Sequence, residues 1–401
     1  MRIGIDASRA NLEQRTGTEW YAFHLIRALA PLFKPEDRIR LYVKEPLRVE
    51  WGPLPSNVQV RVLGWWPTFL WTQLRLSWEI VFHPVDVLFV PAHTIPFLSP
   101  RRTLTTLHDI GFEHAQELYG HEAIGKRKWT KRLLNLGVQV LTFGHYGASE
   151  LDYHRFSARR AIASCPKIIT ISEYSKEDIC TTYGVDPERI IIIPNAHDAI
   201  LFNASVRERK AEITEAKVRA GVTAPYLMTI SRIEKKKNSL GLVRAFALLV
   251  SQPAYAHLQL LLVGKPGLGY EAITQFIETN GLTAKVLFPG WTSERDVPLL
   301  MAGAEAFILP SFFEGFGIPV IEAMAVGTPV LCSNTTALPE VVGGAAELFD
   351  PTSPEAIVEA CTAVLGNPNH QEELRTRGME RASEFSWARS AALLIPYFYQ
   401  L

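Results

Sequence analysis

Two glutamates, an arginine and a lysine carry the sharpest chemical signal in the chain. Glu314 and Glu322 lie in the run Ser311-Phe312-Phe313-Glu314-Gly315-Phe316-Gly317-Ile318-Pro319-Val320-Ile321-Glu322. Gly315 and Gly317 permit close approach of backbone to a ligand, and Pro319 suits a helix's first turn. Such a helix start offers free N–H groups and a positive dipole end to an anion such as a diphosphate. Glu322, one turn in, could accept hydrogen bonds from a diol such as ribose, while Glu314 sits in the loop before the helix. The structural alternative is a tight strand–helix turn with a solvated glutamate. Arg232 and Lys235, Lys236 and Lys237 lie between an apolar run and the helical pattern beginning near Asn238. Two fixed cations there could neutralise a leaving diphosphate and stabilise the charge developing on it. A solvated corner competes with that reading for the lysines, which are usually outside. Arg232, directly behind an apolar strand, is the stronger candidate.

His108-Asp109 follows another apolar run and is a plausible polar pair for a sugar or an acceptor hydroxyl. Gly17-Thr18 precedes a helical pattern from Glu19, with Thr18 as the competing N-cap reading. Tyr21 stands three residues after Thr18, so a full capping box is not expected. Other chemistries lack their patterns. His83, His93, His114, His121, His145, His154 and His197 have no metal-ligand spacing, and HExxH is absent. No GxSxG elbow is present, and no GxGxxG follows the first strand. Gly264-Lys265-Pro266-Gly267-Leu268-Gly269 has the composition of a phosphate loop without its order.

The elements that must position these groups read as alternating strands and helices. Apolar, β-branched runs occur at residues 2–6, 39–43, 58–62, 86–90, 103–107, 167–171 and 190–193. Further runs occur at 226–230, 258–263, 285–288, 306–309, 329–331 and 346–349. Near-continuous apolar strands separated by helices predict parallel sheets covered on both faces. Amphipathic spacing predicts helices over 19–32 and 238–250. The 401 residues suit two domains, and the charged, Ala-rich stretch 199–224 reads as a linker helix between them. The expected division is 1–200, with 385–401 crossing back, and 201–384. His108, Ser172, Arg232, Gly264 and Ser311 to Gly317 all follow strands, where doubly wound sheets bind ligands, which predicts a cleft between the halves.

Composition narrows the class further. With 41 basic and 41 acidic residues the formal charge is zero, so nothing draws the whole chain to nucleic acid. Four dispersed cysteines argue against a disulfide framework or a cysteine zinc site. The chain opens on a strand pattern rather than a signal peptide, and no apolar run reaches 18 residues; a cytoplasmic address follows. Residues 61–82 hold Trp65, Trp66, Trp71 and Trp78 with Arg61 and Arg75. They fit a packing helix, a grip on a large acceptor, or a peripheral contact at the inner face of a membrane.

Taken together, the sequence resembles the retaining nucleotide-sugar glycosyltransferases of family 4, mannosyltransferases among them, which have the GT-B fold: two Rossmann-like α/β domains with parallel sheets facing across a cleft. The resemblance rests on the Glu-x7-Glu motif at Glu314 and Glu322, with Ser231-Arg232 ahead of Lys237-Asn238. It implies an N-terminal acceptor-side domain and a C-terminal domain that binds the nucleotide sugar. Arg232 and Lys237 would hold the diphosphate, and Glu322 the ribose. Glu314 with Gly315, Phe316 and Gly317 would lie against the sugar and phosphate, and Gly290 and Trp291 would approach the base. Gly17 would face the phosphates and His108 the donor sugar. The leaving phosphate would deprotonate the acceptor hydroxyl, so neither a metal nor another cofactor is implied. The partners implied are a nucleotide sugar, GDP-mannose first and a UDP-sugar second, and a glycan or lipid-linked acceptor. A non-catalytic nucleotide-sugar-binding scaffold of the same fold is the alternative. Thr16-Gly17-Thr18 stands where relatives often have paired glycines, and the segment 129–166 is longer than the resemblance suggests.

Overall fold

The structure is a computed structural model that describes residues 1–65, 70–114 and 149–400. Contacts divide the chain into two compact units, Met1–Asn195 with Trp387–Leu401, and Ala196–Ser386.

The first unit is built on a parallel sheet of strands β1 (Arg2–Asp6), β2 (Arg38–Val43), β3 (Val58–Val62), β4 (Val87–Val90), β5 (Thr103–Thr106), β6 (Lys167–Thr170) and β7 (Ile190–Ile192). Their order is β3-β2-β1-β4-β5-β6-β7, so direction of winding reverses between β1 and β4. The second unit carries β8 (Tyr226–Ile230), β9 (Gln259–Val263), β10 (Val286–Gly290), β11 (Ala306–Leu309), β12 (Val330–Ser333) and β13 (Glu347–Phe349). Its parallel order is β10-β9-β8-β11-β12-β13, with the reversal between β8 and β11. In both units the reversal opens a crevice at the carboxyl ends of the strands.

Covering both faces explains the unbroken apolar runs. Leu227, Leu260, Leu262 and Ile308 feed one core of the second unit, while Met228, Leu261, Phe307 and Leu309 feed the other. Successive side chains point to opposite faces, so both faces of the central strands favour apolar residues.

Two local expectations need correction. The first helix is Gly17–Leu29, capped by Thr16 rather than Thr18, and a capping box is present. Glu19 accepts the Thr16 N–H at 3.0 Å, and the Thr16 hydroxyl also bonds its carboxylate. Shifting the helix start by two residues puts Glu19, not Tyr21, third in the helix. The stretch 199–224 is no linker. Its helix Lys210–Arg219 packs on the Asp296–Gly303 helix of the same unit, burying Ile213 and Ala216. It buries only this narrow apolar stripe, which is why its pattern is faint.

The C-terminal helix Trp387–Leu394 packs on Gly17–Leu29 within the first unit. Trp387 stacks on His24 at 5.5 Å, and the Ser390 hydroxyl donates to the Pro194 carbonyl at 2.6 Å. In the tryptophan-rich segment Trp71 is buried, with its indole N–H donating to the Leu63 carbonyl at 2.8 Å, whereas Trp78 and Phe82 are exposed. Trp66, Pro67 and Phe69 lie outside the described residues, as do 129–148 of the long segment; its remainder holds the helix Glu150–Ser164. Among the described residues no helix is long and apolar enough to cross a membrane.

Candidate active site

In the second unit, the loops after β8, β9, β10 and β11 meet at one edge of the sheet. At Gly264 (φ +144°) a Cβ would stand 1.8 Å from the Ser231 carbonyl oxygen, so only glycine lets these strand ends approach. The Phe312 N–H donates to the Lys236 carbonyl at 3.1 Å, tying the basic loop to the Glu314 loop. Lys237 Nζ donates to Glu314 Oε1 at 2.7 Å, and the Ser311 hydroxyl donates to the same oxygen at 2.7 Å. The Glu314 N–H donates to the Thr336 hydroxyl at 3.1 Å. Both ends of the ion pair are largely buried, at 21% and 13% side-chain exposure. Arg232, in contrast, is 60% exposed and lies 3.4 Å from Glu234. The inward cation is therefore Lys237, and Arg232, favoured on sequence, stands at the rim. The backbone turn explains this: Asn238 takes φ +51° and anchors its side-chain amide on the Pro351 carbonyl at 2.7 Å, leaving Lys237 held against the Glu314 loop. Ser311 and Thr336 were not assigned roles from sequence; isolated hydroxyl residues carry no spacing signal.

The helix Ile318–Ala325 begins from Gly317 in the left-handed conformation, φ +93°, where a Cβ would also meet Leu338 at 2.6 Å. Pro319 occupies its first turn, and Phe316 is buried edge-on against Phe385 at 5.4 Å. Among the described residues the N–H groups of Gly317 and Ile318 have no acceptor, which leaves them for an anion. Glu322 lies one turn further. Burial, reinforced by the charge of Asp198, pushes its pKa up to about 8. No described residue donates a hydrogen bond to its carboxyl, so it is protonated at neutral pH without ligand. Because the folded-state value is raised, the protein loses stability as pH climbs from the ordinary carboxylate range through about 8. A ligand diol donating two hydroxyls favours the ionised form. Nucleotide binding at pH 7 is thus expected to release a fraction of a proton in wild type and none in Glu322→Gln. Calorimetric titration in two buffers of different ionisation enthalpy reads this; equal release by both proteins would contradict it.

Gly290 closes β10, and its carbonyl accepts the Gly264 N–H at 3.1 Å. Trp291 beyond it is 43% exposed, with the Lys265 ammonium 4.8 Å from its ring centroid. An exposed indole face can stack a base. Gly315 lies between Glu314 and Phe316 in the loop already described.

In the first unit, Gly17 is the first helical residue, and a Cβ there would meet nothing within 4 Å. His108, behind β5, is 8% exposed and stands edge-on to Tyr21 at 4.6 Å. Burial lowers its pKa to about 4, against the opposing effects of Asp109 and a hydrogen bond to the Pro91 backbone. The ring is neutral, and its Nε2 is buried with no partner among the described residues. A buried polar atom of this kind is costly unless a ligand completes it.

These two parallel-sheet units are those of the GT-B glycosyltransferase fold. Over 100% of the chain the structure is similar to sucrose-phosphate synthase from Thermosynechococcus elongatus (TM-score 0.72, 18% identity, 98% of that chain). It is similarly close to Anabaena HepE in complex with UDP-glucose (TM-score 0.71, 18% identity, 100% of both chains). Residues 15–199 match the model described as Glycosyltransferase Family 4, and residues 211–381 match Glycosyl transferases group 1. Both matches are to glycosyltransferase models, one over most of each unit. The chain is 31% identical over 251 residues to O-antigen chain mannosyltransferase B of Escherichia coli, covering 62% of this chain and 65% of that one. It is 31% identical over 248 residues to the MMP alpha-(1->4)-mannosyltransferase of Mycolicibacterium hassiacum, covering 60% and 55%. The chain thus spans less than two thirds of the length of these relatives.

Proposed function

We propose that this chain is a retaining glycosyltransferase that moves a hexose, mannose from GDP-mannose the favoured case, to a hydroxyl of a glycan or lipid-linked acceptor. The observation that carries the reading is the loop in which Lys237 and Ser311 hold Glu314, with undonated Glu322 one turn into the following helix. The preference for mannose rests on relatives named as mannosyltransferases.

In this reading the donor's diphosphate meets Lys237, with Arg232 at the rim and the N–H groups of Gly317 and Ile318. Lys237 has three N–H donors and gives one to Glu314, which leaves others for phosphate oxygens. Glu322 takes the ribose, and Gly290 and Trp291 flank the base. Glu314, with Gly315 and Phe316, faces the sugar, where its charge favours an oxocarbenium-like transition state. Neutral His108 contributes an imidazole to the sugar, and Gly17 offers unobstructed backbone to phosphate. The anomeric C–O bond to the diphosphate breaks while the acceptor oxygen bonds to the same face of that carbon. The acceptor's proton passes to the departing diphosphate oxygen, so no protein base is consumed.

The test is release of GDP from GDP-mannose that depends on added acceptor, with the anomeric configuration of the product read by NMR. An inverted product would remove the retaining assignment. Because Lys237 and Arg232 supply positive charge beside the leaving group, turnover is expected to persist in EDTA. Complete loss on chelation, restored by Mg²⁺ or Mn²⁺, would overturn that expectation.

A further inference from the structure

The carboxyl end of the first sheet carries a group of nitrogen-bearing side chains that the donor assignment does not use. Arg9 follows β1, Lys44 follows β2 and His93 follows β4, and these three strands are neighbours in the order β2-β1-β4. Arg9 is half-buried and makes no hydrogen bond or ion pair with any described residue. Burial depresses the protonation of Lys44, His93 and His108, and the charge of Arg9 adds to it in all three. The Lys44 ammonium lies 5.7 Å from the ring centroid of Trp71. Asp6 and Glu45 also face Lys44, and the Asp6 oxygens accept from the Ser8 N–H at 2.9 Å and the Thr72 hydroxyl at 3.1 Å. Among the described residues Arg9 has no direct ion-pair partner, and a bound anion would give its guanidinium one.

His93 adds a directional donor. Its Nε2 lies 3.0 Å from His154 Nδ1. Burial and its basic neighbours keep His93 neutral. When His154 donates in that contact, the His93 proton sits on Nδ1, available to an oxygen acceptor; an anion selects this tautomer. His108 follows β5, the neighbour of β4, and its Nε2 has no partner among the described residues.

We propose that Arg9, Lys44 and His93 form an anion subsite in the first unit that holds a phosphate or diphosphate carried by the acceptor. The proposal rests on the reading of this unit as the acceptor side. A phosphate there places a lipid-phosphate or sugar-phosphate acceptor, rather than an uncharged glycan, as the substrate class. The Arg9 guanidinium takes two phosphate oxygens side by side, and Lys44 adds a point charge.

The experiment saturates the full-length protein with GDP, then titrates inorganic phosphate, inorganic pyrophosphate and acetate, followed by calorimetry and phosphorus NMR. Wild type should bind phosphate or pyrophosphate on top of GDP and ignore acetate. Preference between the two phosphates separates a monoester from a diphosphate acceptor. Arg9→Gln should weaken this binding about tenfold to a hundredfold, and Arg9→Lys less, with GDP affinity and melting temperature unchanged. His93→Gln provides a second variant that leaves Arg9 in place and should weaken it by a smaller factor. No second anion in the GDP complex, equal binding by Arg9→Gln, or equal binding of acetate would overturn the subsite. A loss of GDP affinity in Arg9→Gln would move Arg9 to the donor site and also overturn it. Failure of GDP itself to bind would instead count against the glycosyltransferase reading.

Discussion

Lys237→Ala is expected to lower kcat by about a hundred- to a thousandfold, the scale of losing one preorganised donor to a charge that develops in the transition state. The substitution removes a cation from a largely buried loop and leaves Glu314 with only the Ser311 hydroxyl on its Oε1. Uncompensated burial of the carboxylate adds a stability cost of about 1–3 kcal/mol, visible as a lower melting temperature. Lys237→Arg keeps the charge but not the compact ammonium that fits the 2.7 Å contact, so it should recover stability more than turnover. Arg232→Ala gives the internal comparison. Its guanidinium is 60% exposed and paired to Glu234 in the empty protein, so its loss should leave stability intact and reduce turnover less. Steady-state kinetics and thermal melts of the three variants decide this. Equal kcat for wild type and a folded Lys237→Ala would remove Lys237 from the chemistry.

The second large effect separates the two glutamates. Glu314→Gln should fall on kcat, because the loop that carries it would present a neutral amide where a carboxylate favours a cationic sugar. Glu322→Gln should fall on nucleotide affinity. The carboxyl must ionise to serve as a double acceptor, which from a pKa near 8 costs little at pH 7, and each charge-assisted hydrogen bond returns roughly 1.5–3 kcal/mol. A loss of about one to two powers of ten in affinity follows, with kcat at saturation little changed. If Glu322→Gln binds nucleotide normally and Glu314→Gln turns over normally, both folded, the roles are wrong even though the fold stands.

Strands were the most legible elements because both sheets are buried on two faces, and continuous apolar runs such as Leu260–Leu262 have no other use in a chain of this composition. The Glu314–Glu322 loop was legible because its glycines and proline mark a strand–turn–helix in so few residues. What escaped the sequence depends on contacts between distant segments. Four basic residues at 232 and 235–237 look alike until Asn238 turns the chain and Glu314 arrives from another loop. The start of the Gly17–Leu29 helix is ambiguous in the sequence because both Thr16 and Thr18 can cap, and the reach of Glu19 selects Thr16. The helix Lys210–Arg219 reads as a linker in the sequence because its two buried apolar residues, Ile213 and Ala216, make too short a stripe to mark a packed face. Arg9, Lys44 and His93 come from three strands and share no spacing at all.

The central claim is that the protein binds a nucleotide diphosphate sugar, and a thermal-shift series with GDP, UDP, ADP and their sugars tests it without knowledge of the acceptor. Ligand at about a hundred times its Kd adds roughly 2.7 kcal/mol to the native state, enough to move the melting temperature by several degrees. GDP and GDP-mannose are expected to raise it most in wild type, and Glu322→Gln to need about ten to a hundred times more nucleotide for the same shift. A folded wild-type protein whose melting temperature is unmoved by every nucleotide and nucleotide sugar in the series would contradict it.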